Sequence, residues 1–180
     1  MTTPASTPAE KTLKRVLAIS RFNGWSVVFI AGLGTLLTLV LGDLLGTLIG
    51  LLAVVSGWME LRGHWKLKRR DPTGMTWLVR SQMLLLTVIL VYCVSRLGSF
   101  DADTAMGNLT PDMEASLKEV GLERADILPM VRTSFLVTYL TVAVVCLIYQ
   151  GGMALYYRRK TGLVTEALTP PPTPVNFSVL

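Results

Sequence analysis

Ionisable side chains set in apolar surroundings are the residues of this chain with the clearest capacity for chemistry. In "LGDLLGTLIG" (41–50), Asp43 is the only charge between Arg21 and Glu60. A carboxylate held inside a bilayer is how carriers bind protons and ions. The same residue beside a glycine is also a turn former. Other reactive types are scattered. Cys93 and Cys146 both fall inside apolar runs and read as small buried hydrophobes, not as a disulfide or a reactive thiol. His64 is the sole histidine, and no His/Cys/carboxylate cluster has metal-ligand spacing, so neither a metal nor another cofactor is expected. No G-x-x-x-x-G-K-[ST], G-x-G-x-x-G, H-E-x-x-H or G-x-S-x-G occurs, and no two carboxylates share a turn within an apolar block. Catalysis is therefore not expected.

The elements that position these residues follow from composition. Half of the 180 residues are apolar and 16% are charged, against about a quarter charged in soluble domains. The apolar residues come in blocks, which predicts a membrane protein. The net charge of +5 lies in short clusters flanking those blocks, the pattern of a topology signal and not of a nucleic-acid surface.

The block from Trp25 to Met59 would run about 52 Å as one helix, far beyond a hydrocarbon core of about 30 Å. Lys11, Lys14, Arg15 and Arg21 precede it, and Arg62, Lys66, Lys68, Arg69 and Arg70 follow. Both basic flanks belong on the cytoplasmic side, which requires an even number of crossings. Residues 25–42 then go out and 44–60 return, with Gly42-Asp43 as a tight turn. A re-entrant hairpin is the structural alternative. In the spanning hairpin Asp43 lies in water at the far interface, and its reading as a carrier carboxylate recedes. Gly42, Gly46 and Gly50 recur at four-residue steps, with Gly57 nearby. They form a helix-packing face, directed at the other hairpin arm or at a second or foreign chain.

The expected fold is an all-α integral membrane protein with four transmembrane helices. Residues 1–24 form a basic interfacial amphipathic helix, opened by Thr7, Pro8 and Glu10 and ended by Asn23-Gly24. The hairpin occupies 25–60, and a basic cytoplasmic loop 61–76, broken at Asp71-Pro72. In that loop Lys66, Lys68, Arg69 and Arg70 either hold anionic lipid headgroups or fix topology alone. The third helix spans 77–100, bounded by Arg80 and Arg96. An acidic extracytoplasmic helical loop fills 101–130, with Met113, Leu117 and Val120 as an apolar stripe. The fourth helix spans 131–157, where Gly151-Gly152 could permit a kink or close contact. A basic, then Pro-rich, cytoplasmic tail covers 158–180. Its Pro171, Pro172, Pro174 and terminal Leu180 suit partner docking.

These features favour a non-catalytic accessory or scaffolding subunit of a larger membrane complex. The alternative is a homo-oligomeric small channel or transporter, lined by the glycine face or by Thr138, Tyr139, Thr141, Tyr149 and Gln150. The expected partners are anionic membrane lipids and other membrane proteins, with a homo-oligomer as an option and no nucleic acid. The expected location is a bacterial inner membrane with both termini cytoplasmic.

Overall fold

The computed structural model describes residues 7–99 and 124–169, together with the isolated positions 101, 116, 119 and 121. Most of the acidic 101–130 segment, including Met113, Leu117 and Val120, lies outside the described residues, as does the tail with Pro171, Pro172, Pro174 and Leu180.

Local capping chemistry sets where the helices begin and end. Helix α1 covers Pro8–Val40. Thr7 accepts from the Glu10 N–H at 3.2 Å while the Glu10 carboxylate accepts from the Thr7 N–H at 3.1 Å, closing the capping box read from sequence. At the far end the Gly42 N–H donates to Leu39 O at 3.1 Å and the Asp43 N–H to Thr38 O at 2.9 Å. This is a Schellman motif, with Gly42 in the left-handed region at φ +73°. Asp43 then caps the next helix, accepting from the Gly46 N–H at 2.9 Å.

Helix α2, Leu44–Lys68, ends in the same motif. Here Arg70 takes the left-handed position, at φ +61°. Asp71 holds this turn by accepting from Lys66 Nζ at 2.8 Å and from the Thr73 N–H at 2.9 Å. Lys66, then Thr73, hold its carboxyl down at about 2. Helix α3 is Gly74–Gly98 and helix α4 is Arg124–Leu168. Among the described residues all four helices are long and apolar enough to cross a membrane.

Two helices run further than the sequence implies. Asn23-Gly24 does not end α1, because both residues have tertiary roles inside it. The Asn23 side chain bonds to Glu60, and Gly24 sits against Leu61 and the Gly57 carbonyl. Likewise α4 passes unbroken through Gly151-Gly152, where no neighbour lies within 4 Å of an added Cβ, and continues beyond Lys160 to Leu168.

The helices pack in a ring, each against the next, with α4 returning to α1. One end of this up-and-down bundle carries the chain's basic clusters; the other carries the Gly42-Asp43 turn. The core lies at the basic end, where Val16, Leu67, Met75, Leu78, Tyr157, Val164 and Leu168 meet. Of the glycines singled out in sequence, Gly46, Gly50 and Gly57 face α1, and Gly42 makes the turn. A Cβ at Gly46 would meet Thr38 Cγ2 at 2.9 Å, one at Gly57 would meet the Val28 backbone N at 3.0 Å, and one at Gly50 would overlap Thr35. Dispersion between closely approaching backbones therefore holds α1 to α2. The sequence reading missed a second close crossing, Gly63 of α2 against Gly74 of α3.

At the turn end Asp43 forms an ion pair with Arg96 of α3, both side chains half-buried. The Gly46 N–H, and Arg96 beside it, hold the Asp43 carboxyl below its ordinary value of 3.8. A depressed carboxylate contributes stability above its unfolded pKa and loses it as the pH falls through the folded one. Asp43→Ala is accordingly expected to cost about 1–2 kcal/mol near neutral pH, chiefly by removing a helix cap. The loss should shrink below about pH 4. Denaturant unfolding of the detergent-solubilised protein at the two pH values checks this, and an equal loss at both would remove the carboxylate from the account.

Candidate functional site: a buried polar centre

Where α1, α2, α3 and α4 converge near the basic end, each contributes a polar side chain. Glu60 of α2 is 1% exposed. Its Oε2 accepts from Asn23 Nδ2 of α1 at 2.6 Å, and its Oε1 accepts from the Tyr157 hydroxyl of α4 at 2.9 Å. The Asn23 carbonyl oxygen accepts in turn from the Tyr149 hydroxyl at 3.2 Å. Gln82 of α3 lies beside the Glu60 carboxyl, and neither of its amide atoms reaches a partner at normal hydrogen-bond geometry among the described residues. One turn toward the basic end, the Ser20 hydroxyl and His64 Nδ1 are 3.3 Å apart.

The surrounding sequence explains why this carboxyl is buried. Ser56, Glu60, Gly63 and Leu67 recur at helical spacing and face inward, all buried. Trp58, Arg62 and Trp65 lie on other faces of the same helix and point outward. Trp25, Trp58 and the half-buried Tyr156 are sequence neighbours of Asn23, Glu60 and Tyr157, so the polar centre lies level with a ring of amphipathic aromatic side chains.

Chemically, the centre is one buried acid held by neutral donors. Both carboxylate oxygens receive neutral donors, and the ion pairs among the described residues are Lys66–Asp71 and Arg96–Asp43, neither of which involves Glu60. Gln150, two turns before Tyr157 on α4, is also buried and its Oε1 has no partner. Sequence reasoning missed Glu60 because it closes the apolar block and so reads as a boundary charge. The available signal was its register with Ser56, Gly63 and Leu67, opposite in character to the Arg62, Lys66 and Arg69 stripe.

That stripe forms a second feature. Trp58, Arg62, Trp65, Lys66, Arg69 and Asp71 line an outward-facing groove of about 480 Å³. Trp58 and Trp65 meet edge to face at 5.7 Å between ring centres. The Arg62 guanidinium stacks 4.7 Å from the Trp77 ring centre. Of the four cations assigned to headgroups from sequence, Lys66 and Arg69 line the groove; Lys68 and Arg70 are exposed outside it.

The channel-lining candidates on α4 divide. Tyr149 and Gln150 turn toward the bundle, whereas the Thr138 hydroxyl donates to the backbone carbonyl of Ser134 at 2.8 Å. Tyr139 packs on Tyr92 of α3 at 6.0 Å between ring centres. Cys93 and Cys146 are both free. Among the described residues no group of three or more His, Cys, Asp and Glu side chains gathers as a metal site. No family model, curated protein or solved structure matches the chain.

Proposed function

We infer that this chain is a small multi-pass membrane protein acting as a non-catalytic accessory or scaffolding subunit of a larger membrane complex. The observation that carries this reading is the outward face of α4, which has no buried residue along its most apolar 18-residue stretch. Leu136, Val137, Leu140, Val144, Val145 and Ile148 all point outward there. A helix packed on α3 along one side, with an exposed apolar face on the other, is shaped to receive other membrane helices as well as lipid. Both termini are assigned to the cytoplasm of a bacterial inner membrane, because the basic clusters gather at one end of the bundle. The first turns of α1 then lie at the headgroup layer, anionic headgroups occupy the Arg62–Lys66–Arg69 groove, and the Pro-rich tail docks a partner.

A second reading, a homo-oligomeric channel or transporter, is favoured by the buried centre at Glu60, since ionisable groups within spanning helices commonly mark ion pathways. The deciding experiment is native mass spectrometry of the tagged protein released gently from its own membranes. Foreign polypeptides in fixed ratio are expected. A pure homo-oligomer would transfer the case to the second reading, and a lone monomer would remove both.

A further inference from the structure

Glu60 and Gln82 share a deficit that a single bound species would satisfy. The carboxyl is buried with two neutral donors and, among the described residues, no cationic side chain in an ion pair with it. Removing such a charge from water costs several kcal/mol unless an opposite charge accompanies it. Asn23 and Tyr157 each donate to one oxygen of this carboxyl, at 2.6 and 2.9 Å, and neither brings a charge. Beside it Gln82, 1% exposed, has an amide oxygen with no donor. A buried amide left this way is itself unfavourable by about 1–3 kcal/mol. A buried carboxyl with no cationic partner among the described residues, and an unpartnered amide beside it, offer two of the oxygen ligands that a hard monovalent cation takes.

We propose that the Glu60 carboxylate and the Gln82 amide oxygen, held between Asn23 and Tyr157 at the junction of all four helices, form a binding site for a small monovalent cation such as sodium. Glu60 supplies the charge and Gln82 a neutral ligand. The Asn23 and Tyr157 donors hold the two carboxylate oxygens in place. Because the ligands come from α2 and α3 and their positioning groups from α1 and α4, an occupied site tightens the whole bundle. This inference goes beyond the subunit reading and stands or falls separately from it.

The test is thermal unfolding of the full chain in detergent, with sodium chloride replacing choline chloride at constant ionic strength. Ligand linkage predicts that the midpoint rises by about 3–8 °C at saturating sodium. Glu60→Gln, which keeps the shape and removes the charge, should abolish that rise. Gln82→Leu should weaken the apparent sodium affinity about tenfold or more, and it carries the test alone if Glu60→Gln does not fold. Equal midpoints in the two salts would overturn the site, as would a full sodium response in both variants. A midpoint that follows pH but ignores sodium would also overturn it, because the carboxyl would then be neutralised by a proton.

Discussion

Tyr157→Phe is expected to destabilise the bundle by about 1.5–3 kcal/mol, the usual effect of losing a hydrogen bond to a charged group. The substitution preserves the ring and its packing in the core of Val16, Leu78 and Val164, so no cavity term enters. What disappears is the donor to Glu60 Oε1, leaving a buried carboxylate held by Asn23 alone. The adjacent residue provides an internal control. The Tyr156 hydroxyl is buried without a partner, so Tyr156→Phe should be neutral or slightly stabilising. Denaturant titrations of the two variants in one detergent compare them directly. Equal midpoints would show that the hydroxyl of Tyr157 contributes nothing beyond its ring.

Gly74→Ala should be comparably damaging for a steric reason. The added Cβ would lie 2.6 Å from the Gly63 carbonyl oxygen and 2.7 Å from Leu67 Cγ. A flexible side chain can swing away from such an approach; a helix carbonyl cannot, so α2 and α3 must separate. The expected loss is about 1–3 kcal/mol, as for other overpacked interiors. Gly152→Ala, where nothing lies within 4 Å, should instead gain about 0.5–1 kcal/mol from helix propensity. Opposite shifts in unfolding midpoint are the required outcome. Equal effects would mean that the Gly63–Gly74 crossing is not close-packed.

The parts of the fold legible in sequence are those governed by local chemistry. Thr7 and Glu10 announce a helix start, Gly42-Asp43 combines a left-handed C-cap with an N-cap, and Asp71-Pro72 interrupts the basic stretch. Each of these signals acts within a few residues. Asn23-Gly24 uses the same vocabulary with a different meaning, because its side chain and its missing Cβ serve contacts with α2. Glu60 was obscured for a related reason. Burial of a charge depends on partners brought from α1, α3 and α4, and helical periodicity on α2 alone shows only which side it faces. The Arg96–Asp43 pair is likewise invisible locally, since the two residues are joined only when α3 folds back along the hairpin.

The chain separation within the polar centre bears on the order of biosynthesis. Asn23 is 37 residues from Glu60, and Tyr157 is 97. A hairpin closed by a two-residue turn and lined with glycines is a short-range unit, able to form while the rest of the chain is still being made. At that stage Glu60 has one of its two donors, and its other oxygen faces the place that α4 will later occupy. A polar network completed only by the last helix is weak until then and cooperative afterwards. Docking of α4 thus supplies the second donor to Glu60, the Tyr157 hydroxyl, and a chain truncated before Tyr157 lacks it.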